Sequence, residues 1–196
     1  MSSTASGERK SDDELNVEWQ EVQAAQVNPR AFRPLYQRYY EPIFRFIYRR
    51  CEDEATAADL CSQVFLKALK KLDTYEFRGL PFSAWLYRIA SNEVTMFYRQ
   101  QKRERTVSAD TSLYHQLVDE DSIGNDDSSD QESLEHTLRL ALQTLKPEEL
   151  SLIELRFFEQ RPFAEIADVL DITEANAKMR TYRILGRLRK KMPKKS

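Results

Sequence analysis

RPFAEIADVLDITEANAKMRTYRILGRLRKK, residues Arg161 to Lys191, is the stretch from which the rest of the chain can be read. It divides at Asp171-Ile172 into two helical patterns. The first places Phe163, Ile166, Ala167 and Leu170 on one side at helical spacing. Ala167 is small where two helices must approach closely. Asp171 stands where the turn asks for a residue that tolerates the left-handed region, and Ile172 plugs the core beneath it. Thr173 is an N-cap for the second helix, with Glu174 favoured in its first turn. The second helix turns Ala177, Ile184 and Leu188 inward and exposes Glu174, Asn176, Lys178, Met179, Arg180 and Arg183. This is the pattern of a helix-turn-helix, whose second helix sets its N-terminal residues against base edges while basic residues reach phosphates. Asn can read adenine, and Arg or Lys can read guanine. An ordinary helical hairpin with a basic surface has the same apolar spacing, so the motif alone leaves both readings open.

Outward from this hairpin the chain remains helical in pattern. Leu134, Leu138, Ala141, Leu142 and Leu145 mark a helix that Lys146-Pro147 interrupts, and Glu148 to Phe158 reads as the next. In the N-terminal half, Asn28-Pro29 starts a helix carrying Phe32, Leu35, Tyr36, Tyr39, Ile43, Phe46 and Ile47, with Pro42 expected to kink or break it. Ala57, Leu60, Cys61, Val64, Phe65, Ala68, Leu69 and Leu72 line a second. After a loop at Tyr75 to Pro81, a third runs from about Phe82 past Arg99, with Trp85, Leu86, Ile89, Met96 and Phe97 inward. Met1 to about Glu14 reads as disordered, followed by a short helix with Leu15, Trp19 and Val22 on one side. The fold class expected is all-α: two small helical domains joined by a flexible acidic linker. The expected division is a tail at 1–27, a helical domain at 28–105, a linker at 106–133 and the helix-turn-helix domain at 134–196.

Composition agrees. Among 196 residues there are only 4 Gly and 7 Pro, which suits long helices, and 41% hydrophobic residues can build cores. The net charge of −2 hides a segregation. From Lys178 to Lys195 the chain has basic residues and no acid, whereas Asp110 to Glu135 is rich in Asp, Glu and Ser without one Lys or Arg. A basic end suggests nucleic acid, and an acidic middle suggests an extended tether. No apolar run is long enough to span a bilayer, and Met1 to Asn16 lacks a signal peptide's apolar stretch. Cys51 and Cys61 fit a reducing cytoplasm, with Cys61 on an apolar stripe as a small buried hydrophobe. His115 and His136 lie far from them in polar sequence, so no metal site and no cofactor is expected.

Four strings carry a resemblance. FRPLYQRYYEPIFRFIYRR (Phe32 to Arg50), DLCSQVFLKALKKLDTYEF (Asp59 to Phe77) and PFSAWLYRIASNEVTMFYRQQKR (Pro81 to Arg103) resemble successive parts of region 2 of bacterial RNA polymerase sigma factors. The segment Glu149 to Lys190 resembles region 4, which reads the −35 promoter element. Order and spacing are similar to those of the small extracytoplasmic-function sigma factors, which lack the middle domain, over about Phe32 to Lys191. AWLYRIASN (Ala84 to Asn92) is the most telling string.

The resemblance implies a promoter-recognition subunit rather than an enzyme, working in the cytoplasm with core RNA polymerase. The helix bearing Asp59, Leu60, Ser62, Gln63, Leu66 and Lys67 would dock on the polymerase clamp, while Cys61, Val64, Phe65 and Ala68 serve the core. Tyr75, Phe77, Arg78, Tyr87, Arg88, Asn92, Arg99, Lys102 and Arg103 would hold the melted −10 strand. Unpaired bases stack in pockets there while cations track the backbone. Trp85 and Phe82 read as core. Thr173, Glu174, Asn176, Lys178, Met179, Arg180 and Arg183 would meet the −35 duplex. Sigma factors of this size commonly have an anti-sigma partner, though no residue here identifies one. The chain departs from the family at Ser62-Gln63 (commonly Gln-Glu), Met96 (commonly Asp) and Ala175-Asn176-Ala177 (commonly Gly-Thr-Val). The first bears on polymerase contacts and the others on promoter sequence.

Two further readings compete. A nucleic-acid enzyme would need convergent carboxylates or an activated nucleophile, but Asp126, Asp127 and Asp130 fall in the linker and nothing else converges. A dimeric regulator that never joins polymerase accounts for the helix-turn-helix and leaves AWLYRIASN unexplained. A degenerate sigma factor that binds polymerase without initiating is compatible with the departures.

Overall fold

A computed structural model of the chain describes residues 11–51, 53–107, 137–138, 140–142 and 144–192, with the side chains of 102–107 left aside. All regular structure among the described residues is helical. The expected linker from residue 108 onward, the tail before Ser11, His115 and His136 lie outside the described residues, as do the side chains of Lys102 and Arg103; Thr106 and Val107, expected in the linker, still belong to a helix.

Helix α1 (Asp12–Val27) begins earlier than the sequence suggests. Ser11 closes a capping box: its Oγ accepts from the Glu14 amide at 3.3 Å, and Glu14 Oε2 accepts from the Ser11 amide at 2.8 Å. Three acids in the first turn suit the positive end of the helix dipole. The helix packs against the bundle by Leu15, Val22 and Ala25. Its buried Glu18 accepts from the Tyr39 hydroxyl and, at 2.9 Å, from the Phe82 amide. Gln26 Nε2 donates to the carbonyls of Leu72 and Tyr75 at 2.8 and 2.9 Å, tying α1 to the loop that follows α3.

A 3₁₀ turn at Pro29–Phe32, capped by Asn28, leads into α2 (Arg33–Tyr48). This helix runs unbroken through Pro42. Leu35, Tyr39, Ile43, Phe46 and Ile47 are buried on both sides of the proline, so packing along one face outweighs the lost backbone hydrogen bond. α3 (Glu54–Lys70) is capped by Asp53, whose Oδ1 accepts from the Thr56 amide at 2.7 Å. Its inner stripe is Ala57, Leu60, Cys61, Val64, Phe65 and Ala68. α4 (Phe82–Val107) closes the bundle with Phe82, Leu86, Tyr87, Ala90 and Val94 buried. Met96, expected inward, is 58% exposed. The buried positions 87, 90 and 94 step by three and four, which puts position 96 on the far side.

In the C-terminal part, α5 (Pro147–Ile153) passes into one wide π-turn at Glu154–Phe158 instead of continuing as α-helix to Phe158. Glu154 and Leu155 at this turn are both buried, at 3% and 0% exposure, as are Ser151, Leu152 and Ile153 before them. Gln160 then reverses the chain at φ 52. α6 (Phe163–Leu170) and α7 (Glu174–Lys191) form the helix-turn-helix as expected. Asp171 is left-handed at φ 53, ψ 50, and Thr173 Oγ1 accepts from the Asn176 amide at 3.2 Å. Ile166, Ala167, Ala177, Ile184 and Leu188 pack between the two helices and α5. Ile166, Ile184 and Leu188 each contribute about 1.5–3 kcal/mol by leaving water, while the two alanines contribute less and let the helices approach.

The two helical groups are packed together. α4 lies against α6, with further contacts to α5, so the hydrophobic core runs from α1 to α7 without a break.

Candidate nucleic-acid interface

Three faces carry the residues singled out above. On α3, Asp59, Ser62, Gln63 and Leu66 are exposed as one stripe opposite the core, Leu66 at 52%. Leu60 differs: it is 7% exposed and belongs to the inner stripe. Lys67 reaches sideways to α4, where its Nζ is 2.6 Å from both carboxylate oxygens of the buried Glu93.

The second face is the loop after α3 together with α4. Phe77 stacks on Trp19 at 5.6 Å and 17° between planes. Tyr75 meets Phe82 edge-on at 5.2 Å and Trp85 at 4.9 Å. Gly79, at φ 70, makes the left-handed turn that carries the loop on to α4. Phe82 is core as expected, whereas Trp85 is half-buried and lines a cleft with Tyr75, Arg78, Leu80 and Arg88. Arg78, Asn92 and Arg99 are exposed.

Two residues of this face are placed differently. Tyr87 is 0% exposed, its ring edge against Phe46 and its hydroxyl donating to Glu159 Oε2 at 2.5 Å. Burial raises its phenol well above the ordinary range, partly offset by Arg161. Arg88 ion-pairs with Asp168 Oδ1 at 2.9 Å, its Nε donates to the Asp168 carbonyl at 2.9 Å, and Asp168 also borders the cleft. Glu159 and Asp168 both belong to the helix-turn-helix part.

The same seam holds side chains that the sequence did not single out. Arg50 and Glu154 form an ion pair with both side chains almost wholly buried, and Arg50 Nη1 also donates to Ser151 Oγ at 3.0 Å. Burial pushes the Glu154 carboxyl up, with Arg50 opposing the shift. Arg49 Nη1 is 2.6 Å from Glu159 Oε1. Arg161 Nη1 donates to Ser83 Oγ at 3.1 Å while its guanidinium lies over the Tyr87 ring at 4.8 Å. Arg49-Arg50 was legible as a basic pair at a helix end, but no local pattern names acids a hundred residues away.

The third face is α7. Glu174, Lys178, Met179, Arg180 and Arg183 are exposed along it, with Asn176 partly so. Lys178 pairs with Glu174 at 3.2 Å, and Arg180 Nε donates to Asn176 Oδ1 at 2.9 Å. Arg183 rests on Met179 Sδ at 3.8 Å. These local i,i+4 contacts pre-order the side chains on one surface and, being exposed, cost little to exchange for another partner. Toward the helix end, Arg187 is held by Glu149 at 2.6 Å and Lys191 by Thr144 at 2.8 Å. Among the described residues no group of His, Cys, Asp or Glu could hold a metal ion, and no helix is long and apolar enough to cross a membrane.

Residues 35–104 match the family model described as Sigma-70 region 2, and residues 141–190 match that of Sigma-70, region 4. The ECF RNA polymerase sigma factor BldN of Streptomyces coelicolor is 33% identical over 167 residues, covering 83% of this chain and 61% of its own. The chain thus spans less than two thirds of that relative's length. The RNA polymerase sigma factor YlaC of Bacillus subtilis is 30% identical over 165 residues, covering 82% of this chain and 91% of its own. Among solved structures, the sigma factor RpoE of Bartonella quintana, in complex with the anti-sigma factor NepR, is similar in fold. Its TM-score is 0.60 at 22% identity, covering 82% of this chain and 95% of that one.

Proposed function

Because the chain belongs to the sigma-70 family, in its extracytoplasmic-function (ECF) group of RNA polymerase sigma factors, we propose that it joins core RNA polymerase in the cytoplasm and directs it to two-part promoters. The observation that carries this reading is the occurrence of region 2 and region 4 matches in one chain and in that order, with region 4 ending on a helix whose exposed face is basic. It is a positioning subunit, and the chemistry of RNA synthesis stays with the polymerase.

The exposed stripe of α3 (Asp59, Ser62, Gln63 and Leu66) is the face offered to the polymerase, with Lys67 at its edge. The loop Tyr75 to Pro81 and the outer side of α4 take the melted −10 strand: aromatic rings offer stacking surfaces, and Arg78, Arg88 and Arg99 offer charge. The N-terminal half of α7 enters the major groove of the −35 element, with Asn176, Lys178 and Arg180 nearest the bases. Each reader alone is weak. Held together by polymerase at the span of the two elements, the second binds at a high effective concentration set by the first. An anti-sigma protein, such as the Bartonella quintana factor binds, is a further partner of this reading.

The test uses the purified chain and sigma-free core polymerase on fragments of its own genome. Discrete transcripts sharing a two-part upstream motif are expected. Arg180→Ala and Lys178→Ala should each weaken promoter capture by about 1–3 kcal/mol if they touch bases, or lower the salt slope by about 1 if they touch phosphate. Polymerase binding in a pull-down should stay unchanged, and its loss in step with promoter capture would refute this division of labour.

A further inference from the structure

The buried side of α7 is set by Ala177, Thr181, Ile184 and Leu188, so the positions farthest from the core are those half a turn away: Ala175, Met179, Tyr182 and Gly186. All four are exposed, Met179 at 52% and Tyr182 at 68%. They form an uncharged strip along the middle of a helix that is otherwise strongly basic. Lys178 and Arg189 border the strip on one side, Arg183 and Lys190 on the other, and after Glu174 the helix has no acid. Arg183 Nη2 rests 3.8 Å from the Met179 sulfur, which steadies the thioether on this face. Gly186 does nothing for its own helix. A Cβ there would meet no atom within 4 Å, so packing inside the chain does not call for glycine, which weakens a helix interior. Its effect is to keep the strip low where a neighbour would come close.

A helix in the major groove meets base edges along its outward midline and phosphates along its flanks. Cations on both flanks and none on the midline match that division. Arg180, bonded to Asn176, stands off the midline, bordering a cleft with Glu148 and Leu152 of α5. On the base edges every group that a side chain meets is a hydrogen-bond donor or acceptor, with one exception: the 5-methyl group of thymine. A thioether and a phenol ring pointing at donors and acceptors would strip them of water and offer little in return. Pointing at methyl groups, they bury apolar surface on both sides. We propose that α7 reads thymine methyl groups in the −35 element through Met179 and Tyr182. The inference rests on α7 being the −35 reader and adds the chemistry that this reader selects. Three residues apart, the two side chains are about 4.5 Å apart along the helix axis. A base step is about 3.4 Å, so each meets its own base pair.

The experiment takes a promoter fragment on which the full chain and core polymerase start transcription, and replaces thymidine by deoxyuridine throughout its upstream element. This deletes the methyl groups and keeps every hydrogen bond of the base pairs. Capture by the wild-type holoenzyme should fall about fourfold for each contacted methyl, the fold-change of exposing one such group. Met179→Ala and Tyr182→Ala should each capture the natural fragment more weakly and lose less on the uracil fragment, because part of what uracil removes is already gone. Tyr182→Phe keeps the ring and should keep the full sensitivity. None of these changes removes a charge, so the salt dependence should match that of wild type. The uracil arm needs no variant, so it decides even where a variant folds poorly. A wild type indifferent to uracil, or alanine variants as sensitive as wild type, would overturn the inference while transcripts still mark a sigma factor. Loss of polymerase binding by Met179→Ala would make the strip a protein contact and overturn it as well. Absence of transcripts from every fragment would instead overturn the sigma-factor reading beneath it.

Discussion

Asp171 carries the chain from α6 into the turn before α7. The turn of the helix-turn-helix demands a left-handed backbone, and Asp171 adopts it at φ 53, ψ 50. A side chain there crowds the following carbonyl, at a cost of about 1–2 kcal/mol for most residues and less for Asp, which tolerates the region better. Asp171→Gly is therefore expected to stabilise the full chain by up to about 1 kcal/mol, less glycine's added unfolded-state entropy. A urea midpoint that stays or falls would show that the aspartate does more than turn the chain. Other residues were legible only in part. Tyr87 carries the aromatic-beside-base signature of a stacking platform, yet it is wholly buried. The signature is the same for a ring that stacks a base and one that packs beneath another helix, and only the covering helix separates them. Leu60 and Lys67 likewise fall within a docking string while one packs inward and the other pairs with Glu93.

Among the elements, the periodic helices α2, α3, α6 and α7 follow from their apolar stripes, and both the caps at Asp53 and Thr173 and the break at Asp171 mark their ends. Elements whose identity depends on distant partners were harder to read. α1 reads as a tail with a short helix because one of its buried residues is a glutamate. Glu18 becomes core only because Tyr39 and the Phe82 amide converge on it from two other helices. Glu18→Ala should strip two buried donors of their acceptor and cost about 3 kcal/mol. Thermal unfolding of the full chain checks this, and a loss under about 1 kcal/mol would mean that α1 is dispensable to the bundle. The π-turn at Glu154–Phe158 also escaped the pattern, since a single widened turn leaves the apolar count unchanged and alters only which residues face inward.

For the whole molecule, two domains were expected from the charge-segregated middle of the sequence, and their packing was not. Sequence patterns report what a helix does with its own faces; they do not report which foreign surface covers them. The packed seam has a thermodynamic signature. At low salt the chain should unfold in one calorimetric transition, because the domains share a core and a buried ion pair. At high salt the partly exposed pairs weaken and the transition should broaden or divide in two. Two resolved transitions at low salt would mean that the domains are energetically independent. The aromatic cluster around the loop also has an optical consequence. The chain has 2 tryptophans, Trp19 and Trp85, and both sit in that cluster, beside Phe77 and Tyr75. Its tryptophan emission therefore comes wholly from the N-terminal half, and the helix-turn-helix adds only the exposed Tyr182, which excitation at the red edge of the tryptophan band leaves out. Trp85 shares its cleft with Asp168, so the colour of that emission tracks whether the cleft is covered or wet, and the protein carries its own lamp there.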